Sequence, residues 1–366
     1  MSKVIVRQAT YDYDRLKPAV FEILDAAGGA GIAPGRRVLI KPNFLSPAKP
    51  EEAVLTHPLV IRAAAEYALA MGAQVRIGDS QALGSFERIL KTSGARQALK
   101  GLDVECAEFK ATRKIDIGEP FGKIDLAADV LDADIVINLP KLKTHGMMQL
   151  TLGVKNLFGC VVGLRKPEWH MRAGVNHDLF ARLLVQICRA VNPTVTLLDG
   201  ILAMEGEGPG KSGKPRRLGV LMGSTDTVAV DRVAAALVGM DPETLPTNRA
   251  ARELGMAAGD VDIDGTLPEV LRYEIPGMRT PGRLTNLLRE QLVRKPVADA
   301  RACTLCGECR TYCPAKAITE EGGRLRFDYE TCIRCFCCLE VCPHGALRIR
   351  ESLSARLVRT LIEKKP

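Results

Sequence analysis

Three observations predict an α/β protein, with a mostly parallel sheet carrying helices on both faces and a small cysteine-rich α+β unit behind it. Over residues 1 to about 275, short β-branched runs alternate with longer amphipathic stretches, the pattern of strands joined by crossover helices. Polar residues directly follow the apolar body of several of those runs. Nine of the twelve cysteines crowd into the last 64 of 366 residues. With 46% apolar side chains the chain can pack a core, and its length suits two or three domains. Aromatics at 4% argue against a large β-sandwich or a base-stacking nucleic-acid platform.

Taken in order, the expected strands are KVIVRQA, RVLIKPN, QVRIGDS, DVECAEF, DIVINLP, TVTLLDG and LGVLMGS. The expected helices are DYDRLKPAVFEILDAAG, HPLVIRAAAEYALAMGA, HDLFARLLVQICRAV and TVAVDRVAAALVGM. Lys41-Pro42-Asn43, Asp79-Ser80, Lys141 to His145 and Asp199-Gly200 each sit just past a strand body. Open α/β sheets bind ligands outside the carboxyl ends of their strands, so these groups mark one candidate site.

The cysteines come as two runs, CTLCGECRTYCP from Cys303 and CIRCFCCLEVCP from Cys332, each reading C-x2-C-x2-C-x3-C-P. Corresponding cysteines are 29 residues apart at all four positions, which is an internal repeat. Three close thiolates in each half wrap one corner of a cubane and the remote fourth ligates the other cluster. One [4Fe-4S] cluster is therefore expected on Cys303, Cys306, Cys309 and Cys342, and a second on Cys332, Cys335, Cys338 and Cys313. Zinc is the alternative for paired C-x2-C, but it needs neither the third step nor the C-P ending, twice. Between the runs, Gly322-Gly323 in ITEEGGRLRFDYE suits a hairpin. This segment resembles the bacterial two-cluster ferredoxin domain, which implies a ferredoxin-like fold over about residues 300 to 350. Cys337 departs from that pattern and reads as a spectator thiol, with a ligand or redox role as the alternative.

Residues 276 to 366 hold 17 Lys and Arg against 10 Asp and Glu, and the rest of the chain 34 against 33. Nearly all of the net +8 therefore accompanies the cysteines, where basic residues offset anionic clusters; nucleic acid is not needed to explain it. In the near-neutral remainder, cations gather between Lys141 and His177: Lys141, Lys143, His145, Lys155, Lys166, His170 and His177, with Asn156 among them. Such a group favours an anion such as a carboxylate or phosphate, against the plain alternative of solvated surface charge. The histidines lack tight metal-binding spacing. Cys160 sits among these cations, where its pKa could fall, or else it is a small buried hydrophobe. Trp169 reads as packing.

Two apparent nucleotide motifs fail. Gly208 to Gly213 spells G-x-G-x-x-G but leads into a strand, and a P-loop ending in GKS would need glycine where Glu205 stands. That loop's glycines still allow backbone N–H groups to approach an anion, with Glu205 and Glu207 as candidate acid/base or metal-binding carboxylates.

KPNF, IGDS, LPKLKTH, TLGVKNLFGC, DGILAMEGEGP and DTVAVD, in that order, resemble the uncharacterised iron–sulfur family called domain of unknown function three-sixty-two. The resemblance spans nearly the whole chain and implies an iron–sulfur protein without a settled reaction. The segment from Leu139 to His170 is also similar to the lactate racemase family in its His and Lys around a Gly-rich turn, with no nickel cofactor carried over.

The expected organisation is an α/β domain at 1–275, a linker helix at 276–299, the two-cluster domain at 300–350 and an amphipathic helix at 351–366. No export signal opens the chain, and TVAVDRVAAALVGM is too short and too charged to cross a bilayer. A cytoplasmic location is expected. The expected function is an iron–sulfur oxidoreductase fed by a redox partner protein. Lys41, Asn43, Asp79, Lys141, Lys143, Lys155, Asn156, Asp199 and Glu205 would hold a small anionic substrate, and His145, His170 or Cys160 would take part in the chemistry. The alternative is a non-enzymatic electron carrier or cofactor-assembly factor whose α/β domain binds a partner protein. The sequence sets no oligomeric state.

Overall fold

Strands such as those ending at Asp79, before Pro140 and at Gly206 stop where a charged residue, proline or glycine interrupts an apolar run, and the resulting elements are seen in a computed structural model. It describes residues 1–27, 31–163, 165–256, 259–270, 272–276 and 294–350. In chain order the strands are β1 Ser2–Gln8, β2 Arg37–Pro42, β3 Gln74–Asp79, β4 Val104–Glu108, β5 Thr112–Asp116, β6 Lys123–Ala127, β7 Ile135–Leu139, β8 Lys141–His145, β9 Gln149–Thr151, β10 Val195–Gly206, β11 Gly213–Ser224 and β12 Val261–Asp264, followed by β13 Lys295–Ala298, β14 Ile318–Glu321, β15 Arg324–Phe327 and β16 Leu347–Arg350. The large sheet runs β12-β1-β11-β10-β7-β2-β3-β4. It is parallel from β10 to β4 and antiparallel on both sides of β11.

Alternate residues of each central strand face opposite helical layers. Val38 and Ile40 pack with the helices Tyr13–Ala26 and Pro58–Ala70, while Leu39 and Val136 share a cluster with Phe180, Leu183, Leu184 and Ile187 of the helix His177–Val191. Each such fully buried aliphatic side chain contributes about 1.5–3 kcal/mol relative to exposure, so these two layers fix which residues a strand turns to which face. Caps set the helix starts: Asn176 accepts from Leu179 N, and Asp226 from Val228 and Ala229 N.

Two features depart from simple strand ends. Lys141 to His145 is itself a strand, β8, because Pro140 interrupts β7 and the chain continues beside the far half of β10, with Asp199 opposite Lys141 and Met204 opposite Lys143. The two seven-residue runs TVTLLDG and LGVLMGS each extend to 12 residues as a ribbon whose tip is the Gly208 to Ser212 loop.

The cysteine-rich unit is closed by β13 against β16 and carries the β14–β15 hairpin over Gly322-Gly323, both at positive φ. Its strand pairing begins at Lys295. The expected linker helix falls largely, and the C-terminal helix entirely, outside the described residues. Phe336, Leu339 and Leu347 of the cysteine-rich unit share one apolar cluster with Met147, Met148 and Phe158 of the large domain, so the two units pack as one body.

Candidate functional site at the junction of the two units

Cys303, Cys306, Cys309 and Cys342 line one cavity, and Cys313, Cys332, Cys335 and Cys338 line another. These are the two crossed quartets that the spacing predicts. Among the described residues no three His, Cys, Asp or Glu side chains converge as the ligands of a single ion do. Each quartet frames a small cavity, the arrangement that the crossed cluster assignment calls for. The 29-residue repeat extends to the backbone: Leu305 and Arg334, Gly307 and Phe336, and Lys316 and Gly345 form equivalent pairs, all at positive φ. Ala317 N donates to Cys313 Sγ at 3.3 Å and its equivalent Ala346 N to Cys342 Sγ at 3.2 Å, the polarity a thiolate bound to iron calls for.

A third cavity, of about 70 Å³, lies where the carboxyl ends of β2, β3 and β8 meet the second cysteine run. From the large domain it is lined by Lys41, Asn43, Asp79, Ser80, Lys143, His145, Lys155, Asn156, Lys166 and His170, and from the cluster unit by Tyr312, Cys337, Glu340 and Val341. Lys41 Nζ is 2.9 Å from Asp79 Oδ1, with both side chains buried. Lys143 Nζ donates to Asn43 Oδ1 at 2.8 Å and Val54 O at 2.6 Å, and Lys166 Nζ to the carbonyl and hydroxyl of Ser80. Asn43, Asn156 and Asn138 continue the network through their side-chain amides. Lys155 is half-buried, its amine 5.0 Å from the centre of the Phe158 ring. Asp231 anchors the turn carrying Lys155 and Asn156, accepting from Gly153 N and Val154 N.

Burial lowers the amine of Lys143 to about 7 and that of Lys166 to about 8. His145 Nδ1 accepts from Met147 N and Met148 N, so its ring proton sits on Nε2, 2.9 Å from Glu340 Oε1 but off hydrogen-bond alignment. Burial opposes ionisation of Glu340, yet the cationic Lys155 that faces it holds its pKa down. Burial also lowers His145, and protonating it would cost two backbone hydrogen bonds, so we read the pair as neutral imidazole against carboxylate. His170 stacks on Phe180 at 4.3 Å between ring centres; burial lowers it to about 3, and its Nδ1 has no partner. Neither histidine therefore carries the spare proton expected of a general acid at neutral pH.

Other expected site residues lie elsewhere. Lys141 and Asp199 form their own buried network beside this cavity, Lys141 Nζ at 2.7 Å from Asp199 Oδ2, with Tyr11 donating to Asp199 Oδ1 and stacked on His57. Glu205 stands on the ribbon, accepting from Glu274 N, and Glu207 accepts from Ile349 N of the cluster unit. Cys160 is fully buried and burial pushes its thiol up to about 12, so it is a packed thiol and not a thiolate. Trp169 packs edge-on to Phe121. The glycine-rich loop meets no nucleotide signature but the cluster unit: Ser212 donates to the carbonyls of Gly345 and Leu347, and a Cβ on Gly210 would stand 2.8 Å from Leu339 O. Sequence reasoning missed Glu340, Tyr312 and Asn138. Two belong to another domain and one lies inside an apolar strand; only Cys337, as the cysteine outside the repeat, carried a signal.

Residues 38–236 match the family described as Domain of unknown function (DUF362), and residues 295–343 match a 4Fe-4S dicluster domain. The thylakoid-associated protein sll1697 of Synechocystis is 39% identical over 254 residues, covering 69% of this chain and 79% of that protein. Pyruvate synthase subunit PorD of Thermotoga maritima is 39% identical over 59 residues, 16% of this chain and 60% of its own. The lactate racemase apoprotein of Thermoanaerobacterium thermosaccharolyticum superposes with a TM-score of 0.44 at 12% identity, over 66% of this chain and 58% of that one. The chain binds two [4Fe-4S] clusters and has an iron–sulfur electron-transfer role. No helix among the described residues is long and apolar enough to cross a membrane. It belongs to the DUF362 family, with a 4Fe-4S dicluster domain at its C-terminal side.

Proposed function

We propose that the protein is an oxidoreductase that passes electrons through its two clusters to a small anionic substrate held in the cavity at the domain junction. One observation carries this reading: the lysines of the strand ends and the turn that holds the second cluster line the same cavity, so a bound anion touches Cys337, one residue from the ligand Cys338. The cluster on Cys313, Cys332, Cys335 and Cys338 is then the one that meets substrate. The cluster on Cys303, Cys306, Cys309 and Cys342, whose Cys306 is exposed, is the entry point for a redox partner protein. Two one-electron clusters together supply an electron pair. Protons come from Lys143 and Lys166, whose lowered amines lie near the working pH where a general acid is most effective. His170, whose Nδ1 has no partner, orients the anion. All twelve cysteines are free of disulfides, in keeping with a reducing compartment such as the cytoplasm.

A second reading, a carrier that only relays electrons to a partner enzyme, draws on the likeness of the cluster unit to oxidoreductase subunits such as PorD. Anaerobic holoprotein reduced with dithionite and mixed with a panel of small organic and inorganic anions separates the two. Reoxidation of the clusters by one anion class, lost in Lys143→Met at full iron content, supports the enzyme. Clusters that stay reduced against the whole panel, yet are reoxidised by a co-purifying protein, support the relay.

A further inference from the structure

The junction cavity is small and carries an imbalance of charge. Four lysines line it, Lys41, Lys143, Lys155 and Lys166, against two carboxylates, Asp79 and Glu340. The other titratable groups facing it, His145, His170, Tyr312 and Cys337, add no counter-charge in their neutral forms. Lys41 is spoken for by Asp79, and Glu340 faces His145. An ammonium has three donors, and Lys143 and Lys166 each use two on neutral oxygens. His170 adds a polar atom without a partner at 3% exposure. About 70 Å³ has room for a few water-sized groups, which limits a ligand to a compact ion.

We infer that this cavity binds one compact oxyanion carrying two negative charges, held by Lys143, Lys155 and Lys166 with His170 as a neutral hydrogen-bonding partner. The inference rests on the cavity being the place where an anion meets the cluster unit, and it narrows that anion to a class by charge and size. The neighbouring cluster is itself anionic, but none of these lysines hydrogen-bonds to a cysteine sulfur; their described bonds go to Asn43, Val54 and Ser80. Because Lys143 and Lys166 are partly deprotonated near pH 8 without a ligand, a dianion draws protons onto them as it binds.

The test titrates oxidised holoprotein of full iron content with sulfate and phosphate, using nitrate and formate as monoanions of similar size and citrate as an oversize control. Calorimetry in two buffers of different ionisation enthalpy at about pH 8 counts the protons. The expected result is one sulfate or phosphate per chain, at least about tenfold tighter than nitrate, with net proton uptake and no citrate binding. Lys155→Met and Lys166→Met, at unchanged iron content, each weaken sulfate at least about tenfold. Equal affinity for nitrate and sulfate, binding without proton uptake, or no saturable binding, as when cluster charge alone balances the lysines, overturns the inference. If either variant loses iron, stoichiometry and proton uptake in the native chain still decide it. Sulfate binding with no anion ever reduced would leave this site standing and remove the oxidoreductase reading; reduction of a monoanion without dianion binding would do the reverse.

Discussion

Single atoms decide how the junction cavity holds its charges. Gly159 packs against the Lys41–Asp79 pair, where a Cβ would lie 2.3 Å from Asp79 Oδ1 and 2.7 Å from Lys41 Nζ. Gly159→Ala must push this pair apart, and separating a buried pair leaves uncompensated charge, so a loss of about 3 kcal/mol is expected in denaturant unfolding. A change below about 0.5 kcal/mol, the scale of an ordinary surface substitution, would show that the backbone yields instead. Lys143 gives a pH signature. Its folded amine is lowered to about 7 from 10.5, so between those values the unfolded chain binds more protons than the folded one, and stability rises with pH across that window. Below about pH 7 both states are charged and the cost of burying the ammonium is fully felt. Lys143→Met should flatten the rise in thermal midpoint between about pH 7 and 10 while holding iron content; an unchanged slope would mean that another group supplies it. The lysines themselves were legible in the sequence because they follow apolar runs. Their separation into two networks, Lys141 with Asp199 and Lys143 with Asn43, was not, because it depends on which distant segment packs beside each amine, β10 for Lys141 and the end of β2 for Lys143.

Elements whose physics is local were the readable ones. The seven expected strands and four helices all form, since alternation and amphipathic period record burial directly. Strand β8 was hidden because a polar strand buried by its neighbours shows no apolar alternation, and Lys141, Lys143 and His145 read as loop chemistry. The cysteine repeat was the clearest signal in the chain, and its two halves share positive-φ positions as well as ligands. This equivalence predicts distinct outcomes for two adjacent cysteines. Cys338→Ser should remove the second cluster, taking iron from roughly eight to roughly four per chain, while the quartet of Cys303, Cys306, Cys309 and Cys342 persists. Cys337→Ala should keep roughly eight iron, since its side chain lines the junction cavity and not the quartet of Cys313, Cys332, Cys335 and Cys338. Equal iron loss in both variants, measured after anaerobic purification, would make Cys337 a ligand and contradict the crossed assignment.

At the scale of the whole molecule, the proposed function depends on a seam that neither unit records alone. Glu340 lies in a cysteine run and His145 in a strand nearly two hundred positions earlier, and no local pattern announces that they will face each other. The seam is held on the far side by the ribbon tip. Gly210 backs onto Leu339 O and Glu340 O, at 2.8 Å and 3.2 Å from where a Cβ would stand, and Gly345 backs onto Lys211 O at 3.0 Å. Backbone on both sides leaves nothing flexible to yield, so Gly210→Val should force the cluster unit off its dock without touching a cysteine, a lysine or a histidine. Each cluster is built entirely from cysteines of its own unit, so both should be retained, with the iron content of the native chain. Electron delivery should suffer instead: once Cys337 and Tyr312 leave the cavity wall, reoxidation of dithionite-reduced clusters by the active anion should slow at least about tenfold, because transfer to a bound anion requires contact that positioning alone supplies. Reoxidation by a small neutral dye that reaches exposed Cys306 should be unchanged. If the anion and the dye slow together, the substitution has damaged the clusters themselves; if neither slows, the anion receives its electrons somewhere other than the seam.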